Sequence, residues 1–279
     1  MGFGIWNLGF VVMPRLGVNI DHIATLREAR KCGIPDPALS LVFLEKCGVD
    51  QVTLHLREDR RHIQDRDLEQ VILGARIPVN LEMALIPEMV EIARKLKPAT
   101  CTLVPEKRQE ITTEGGLDCK TTFNSLKKEL PRLKEKGMRV SLFIDPDKTQ
   151  IDCAFDLRVD AVELHTGTYC EAFARVTPPP VPLPQGEGGI TPSPLRGEGW
   201  GEGDVAKEFQ RLRDAASYAA QKGLKVFAGH GLNTQNLPPV VTIREIEEYN
   251  IGHSIIARAV FVGLEGAIKE IQKILNPKH

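Results

Sequence analysis

Short apolar runs rich in β-branched residues alternate along this chain with longer segments whose apolar residues recur every three or four positions. The first pattern marks a strand and the second an amphipathic helix. Strands are predicted at 16–20, 51–56, 77–82, 99–104, 138–144, 159–165, 224–228 and 246–251. Between them lie helical stretches such as 37–48, 86–97, 122–137 and 205–223, and a last one at 267–275. Gly48, Gly137 and Gly223, each shortly before a strand, fit the residue that ends a helix. Eight such units in about 260 residues predict an α/β fold, a (β/α)₈ TIM barrel with extra helices. An open doubly wound sheet would want a G-x-G-x-x-G turn after an early strand, and the chain has none. The last strand has two readings: 246–251, which leaves His253 at the barrel mouth, or SIIARAV after His253, which sends it to the bottom.

Two segments stand outside the alternation. Residues 1–12 are apolar but lack a positive start and a cleavage site, so they read as a dispensable extension before Met13. Residues 177–204 are dominated by Pro, Gly and Glu and cannot bury enough apolar surface to fold alone. They read as a disordered insertion in the connection after strand six, with a proline-rich docking motif as the alternative. The remainder, 13–279, reads as one barrel domain.

Bulk properties exclude several classes of function. A net charge of −1 over 279 residues provides no footprint for nucleic acid or an anionic membrane. No apolar stretch reaches the roughly 18–20 residues of a membrane span. Six cysteines without a C-x-x-C pair point to reduced thiols in a cytoplasmic protein. Neither a G-x-S-x-G elbow nor a P-loop is present.

The chemistry gathers at the strand ends. In barrels of this class the active site forms where strands run out at their C-terminal ends. Those ends carry Asn19, Asp21 and His22; His55 and Arg57; Asn80 and Glu82; Asp145; Glu163 and His165; His230; and His253. Several are i, i+2 pairs, which face one side of a strand, and unpaired charges inside a barrel are costly. Such a set is a polar network capping the barrel, an acid–base site, or a metal site. No local ligand spacing supports the metal. Glycines in AGHGLN (228–233) and NIGHSIIARA (250–259) cluster where barrels commonly hold a phosphate. Arg30, Arg57 and His62 could neutralise a second anion. The polar stretch 104–118 suits a lid.

Taken together, GVNIDHIATLREAR, HLREDRRHIQDRD, NLEMA, LVPEKRQEITTEGGLD, SLFIDPD, ELHTG, AGHGLN and NIGHSIIARAV resemble the pyridoxine 5′-phosphate synthase family over residues 16–261. The resemblance implies a transferase of vitamin B6 biosynthesis, a homo-octamer built from dimers, that needs no cofactor or metal. It implies condensation of 3-amino-2-oxopropyl phosphate with 1-deoxy-D-xylulose 5-phosphate by multi-step acid–base catalysis. By resemblance, His55 and Glu82 accept protons, His230 donates one and Glu163 stabilises a transition state. Asn19, Arg30, Gly231, Gly252 and His253 would hold the first substrate. Asp21, His22, Arg57, His62 and Thr112 would hold the second. His165 receives no role. A metal-dependent phosphosugar barrel and a non-catalytic scaffold are the alternatives.

Overall fold

The computed structural model describes residues 13–106, 115–177 and 202–277. The expectations about residues 1–12, Thr112 and most of 177–204 therefore lie outside the described residues.

Eight parallel strands close into a barrel in chain order: β1 (Arg15–Asn19), β2 (Gln51–His55), β3 (Val79–Met83), β4 (Thr100–Leu103), β5 (Arg139–Ile144), β6 (Ala161–His165), β7 (Lys225–Gly229) and β8 (Ile246–Ile251). Each lies within two residues of its predicted span. The helices are α1 (Asp21–Arg30), α2 (Leu41–Lys46), α3 (Asp65–Gly74), α4 (Pro87–Leu96), α5 (Phe123–Lys134), α6 (Lys148–Asp156), α7 (Gly167–Val176), α8 (Glu202–Gln221), α9 (Leu237–Val240) and α10 (His253–Leu275). The first of the two readings of the last strand holds: SIIARAV is the opening of α10, which breaks its helical geometry at Gly263. Residues 202–204, expected in the insertion, belong to α8, and the insertion falls between α7 and α8.

Local chemistry sets the helix ends. Asp147 caps α6 by accepting from the backbone N–H groups of Thr149 and Gln150. Gln64 and Asp67 form a capping box at the start of α3. Gly48, Gly137 and Gly223 take positive φ of 67°, 81° and 81°, as their place after a helix required.

The apolar core sits between sheet and helices. Val18, Val52, Leu54, Leu81, Leu103, Leu142, Leu164 and Ile251 are buried in one cluster with Leu44, Leu68, Val90, Leu126, Leu133, Ile151, Leu212 and Ile268 from the surrounding helices. Each such side chain contributes roughly 1.5–3 kcal/mol. The barrel interior is different, because the alternate strand positions are polar. Thr102 Oγ1 donates to Asn80 Oδ1 (2.9 Å), Asn80 Nδ2 to Thr53 Oγ1 (3.5 Å), Thr53 Oγ1 to Asn250 Oδ1 (3.3 Å) and Asn250 Nδ2 to Glu163 Oε2 (2.9 Å). Below this chain Gln51 donates to Glu248 Oε1 at 2.9 Å, and Arg15 pairs with Glu248 at 2.9 Å. The strand-end polar groups are thus the top of a hydrogen-bonded lumen that crosses from β4 to β6.

Candidate active site

At the C-terminal end of the barrel a cavity of about 540 Å³ is lined by Asn19, Asp21, His22, His55, Arg57, His62, Glu82, Glu163, His230, Gly231, Gly252 and His253, with Phe143 and Asn250 beside them. Twelve of the fourteen site residues expected from the sequence therefore share one space. Arg30 does not: it is exposed at the last turn of α1, outside the cavity lining. The helix turns its side chain away from the face that carries Asp21.

Asp21 is the junction of the first three strands. Its Oδ1 accepts the His55 backbone N–H (2.8 Å), its Oδ2 accepts from Asn19 Nδ2 (3.1 Å), and its own N–H donates to Asn19 Oδ1 (2.8 Å). The same Asn19 amide reaches Glu82 Oε2 at 3.4 Å. Ligand atoms of Asp21, His55 and Glu82 lie within 4.8 Å of one another, so these three residues could hold a cation. Two of the Asp21 lone-pair directions are already taken by hydrogen bonds within the protein.

Protons are distributed against habit in this site. Burial raises Asp21 to about 7, opposed by its bonds from His55 and Asn19 and by Arg57. Burial first, then the charges of Glu163 and Asp21, push Glu82 well above the usual carboxylate range. Glu163 is raised to about 8 by burial and then by Glu248. The imidazoles move the other way. Burial and the nearby His62 and Arg57 take His55 down to about 3, and burial with Arg57 takes His62 to about 4. Burial thus favours the protonated form of these carboxyls and the neutral form of His55 and His62. Three neighbouring carboxyls release their protons in coupled steps rather than singly.

Glu163 carries a stability consequence. Its folded pKa is raised above the unfolded 4.5, so the stability of the protonated form is fully present below pH 4.5 and is lost as pH rises through about 8. Glu163→Gln removes the titration and keeps an acceptor for Asn250. Its thermal midpoint is expected to lie close to the wild type at pH 4.5 and to exceed it by several degrees above pH 8, where the wild type has lost the stability linked to the raised pKa. Equal midpoints at both pH values would show that Glu163 is not held protonated.

Two groups of residues suited to anions line the cavity. Gly231, at φ 80°, lets the chain turn tightly after β7, and a Cβ there would stand 2.9 Å from that of Cys170. Gly252 precedes α10, whose first residues His253 and Ser254 open on the cavity. The His253 and His22 rings meet edge to face, 5.0 Å apart. Arg57, Arg61 and His62 line the same cavity. The His62 Nδ1 accepts the Ile63 N–H at 2.8 Å, which leaves the ring's proton on Nε2.

Sequence reasoning missed three members of the site, the first of them Arg61, which lines the cavity although REDRR reads as a solvated charged loop. Asn250 faces the lumen two residues before Gly252 and holds Glu163; strand periodicity was the available signal. Glu106 accepts from the Glu58 N–H (2.8 Å), lies 3.3 Å from Arg57 Nε and comes within 4.0 Å of His55 Nε2. It reads as one more charge in a polar loop, and no local pattern distinguishes it.

Fold and site together define a (β/α)₈ barrel with a cluster of buried titratable groups at its mouth. Solved structures of such barrels agree in fold alone: orotidine 5′-monophosphate decarboxylase from Methanocaldococcus jannaschii matches with a TM-score of 0.56 at 13% identity, over 95% of this chain and 99% of that one. Phosphoribosylanthranilate isomerase from Thermotoga maritima matches at 0.52 and 11%, over 95% of this chain and all of that one. The model of the family described as pyridoxal phosphate biosynthesis protein PdxJ matches residues 16–277. A protein named pyridoxine 5′-phosphate synthase from Sulfurihydrogenibium is 50% identical over 264 residues, covering 94% of this chain and 97% of that protein. One of the same name from Aquifex aeolicus is 46% identical over 94% of this chain and 99% of its own length. The chain belongs to the pyridoxine 5′-phosphate synthase family, enzymes of vitamin B6 biosynthesis.

Proposed function

We propose that this protein condenses 3-amino-2-oxopropyl phosphate with 1-deoxy-D-xylulose 5-phosphate, releasing pyridoxine 5′-phosphate, inorganic phosphate and water. The observation that carries this reading is the convergence, in one cavity, of raised carboxyls, lowered imidazoles and two groups of anion-holding residues. Addition of an amine to a ketone, loss of water and phosphate, and an aldol-type closure all move protons. A site for them needs several groups with pKa values on both sides of the working pH. His55, kept neutral by burial, is suited to accept a proton, and so is Glu82 once it has lost its own. His230 would donate one, and Glu163 would stabilise charge developing in the ring-closing step. Asn19, Gly231, Gly252 and His253 would hold the amino-oxopropyl phosphate. Asp21, His22, Arg57 and His62 would hold the xylulose phosphate. Arg30 and Thr112 belong to this reading by resemblance only.

We also propose a homo-octamer built from dimers, working in the cytoplasm. Exposed apolar side chains on adjoining elements support an assembly: Leu26 on α1, Ile34 and Leu39 after it, Val42 on α2 and Phe261 on α10. The described residues contain no helix long and apolar enough to cross a membrane, and the six cysteines are free.

The test is an assay of purified protein with both substrates, following pyridoxine 5′-phosphate. Product formation is expected, and a chelator is expected to change the rate by less than about twofold. The proximity of Asp21, His55 and Glu82 is what favours the rival reading, a metal-dependent phosphosugar enzyme. Loss of activity on chelation, restored by a divalent cation, would establish it.

A further inference from the structure

His165 is a buried histidine at the end of β6 that the proposed reaction does not use. Its Nδ1 lies 3.1 Å from Asp145 Oδ1, and the same oxygen accepts the Gly116 N–H at 3.0 Å. The bond to His165, then that from Gly116, lowers the Asp145 pKa, so the carboxylate is ionised and only accepts. His165 therefore donates from Nδ1. Its Nε2 is buried and has no hydrogen-bond partner among the described residues.

Gly167 fixes where that Nε2 points. A Cβ at residue 167 would stand 2.4 Å from His165 Nε2 and 3.2 Å from His230 Cδ2. The two rings border one small space, which the glycine leaves open, with centroids 5.1 Å apart. Phe143 packs edge-on against both. His230 is held there by its backbone: φ is 78°, a left-handed conformation that costs a non-glycine residue on the order of 1–3 kcal/mol. Its carbonyl is fixed by Thr166 Oγ1 and, at 3.6 Å, by Cys170 Sγ. The Asp145 side chain is 43% exposed and that of His165 only 4%. The order is solvent, Asp145, His165, His230, cavity.

We propose that His165, anchored by Asp145, is a positioning residue for His230 that also supplies the proton His230 gives to substrate. In this step the imidazolium form of His165 gives its Nε2 proton to the neutral His230, directly or across one water, so that the Nε2–H bond breaks, an N–H bond forms on His230, and the positive charge passes from His165 to His230. His165 keeps its Nδ1 proton against Asp145 and regains the other from solvent when product leaves. The inference rests on the donor role of His230 given above. Burial, then the charges of His165 and His253, lower the His230 pKa, so His230 would hold the transferred proton only briefly before passing it to substrate. The other ionisable groups here are Glu163, against Gly229, His253 at the start of α10, and Arg211 of α8, whose charge acts on Asp145.

The test compares His165→Asn, Asp145→Asn and His230→Asn with wild type, measuring kcat and KM across neutral and alkaline pH. His165→Asn is expected to lower kcat about tenfold or more with KM nearly unchanged, the loss growing as pH rises, and added imidazole is expected to restore part of the rate. Asp145→Asn is expected to lower kcat in the same way with KM nearly unchanged, because the carboxylate that orients His165 and holds its Nδ1 proton is gone. Asp145 is half-exposed, so this variant keeps the test standing if His165→Asn fails to fold. A fall by the same factor at every pH without imidazole rescue, or no fall, overturns the relay. Near-normal turnover in His230→Asn would overturn the donor role itself; an inactive His230→Asn beside an unaffected His165→Asn would overturn the relay alone.

Discussion

Glu82→Gln and His55→Asn are each expected to leave the fold intact and to lower turnover at least about a hundredfold, the usual scale for a positioned acid or base. Glu82 lines the cavity at the end of β3, directly across from His55 in the strand register. Gln keeps the size and an oxygen for the Asn19 amide but cannot exchange a proton. In His55→Asn the backbone N–H that Asp21 accepts is untouched, so the junction of the first strands survives. The measurement is kcat alongside the thermal midpoint of each variant. A midpoint near wild type with a normal rate would remove that residue from the mechanism. The raised pKa of Glu82 adds a direction: the acid limb of the wild-type rate profile should lie above the range of an ordinary glutamate.

Asp67→Ala is expected to be the most damaging single change to stability, about 3–5 kcal/mol, or a fall of about 10 °C in thermal midpoint. Asp67 holds Arg27 through two short bonds of 2.6 and 2.7 Å, and both groups are buried. Its Oδ2 also accepts the Gln64 N–H that opens α3 (2.8 Å). Arg27 in turn donates to the His62 carbonyl at 3.0 Å. Truncation leaves the buried guanidinium between α1 and α3 with Glu28, 2.9 Å from its Nε, as its remaining carboxylate, and frees the segment that carries Arg57 and His62. Thermal unfolding checks the prediction, and a loss below 1 kcal/mol would show that water replaces the carboxylate. A weaker affinity for anions should accompany the loss, because His62 shares the same anchor.

The parts of this fold that depend on period and on turns are legible in the sequence. Strand positions follow from alternation, and helix ends at Gly48, Gly137 and Gly223 from the backbone geometry that only glycine takes cheaply. His253 is harder, because SIIARAV is β-branched enough to suit either element; tertiary packing of Ile255 and Ile256 on the core decides for the helix. The i, i+2 pairs foretell inward-facing polar groups, but not their partners. That Asn250 meets Thr53 and Glu163 depends on Gly17, which lacks the side chain that would strike Asn250 Oδ1 at 2.0 Å. Arg30 shows the reverse limit. Its charge and place in a motif suggest an anion site, whereas the direction of α1 takes it out of this cavity. The partnership of Glu106 with Arg57 spans 49 positions, and no local rule reports it.

The hydrogen-bonded lumen has a consequence for engineering. Cohesion resides mainly in the apolar layer outside the sheet, while the inward positions of the strands set the electrostatics of the mouth. Libraries that vary Thr53, Asn80, Thr102 and Asn250 as a group, exchanging one complete set of donors and acceptors for another, would retune the carboxyl of Glu163 without repacking the shell. Single changes at these positions would instead strand a buried partner, so reshaping this enzyme's proton chemistry calls for compensated sets rather than point substitutions.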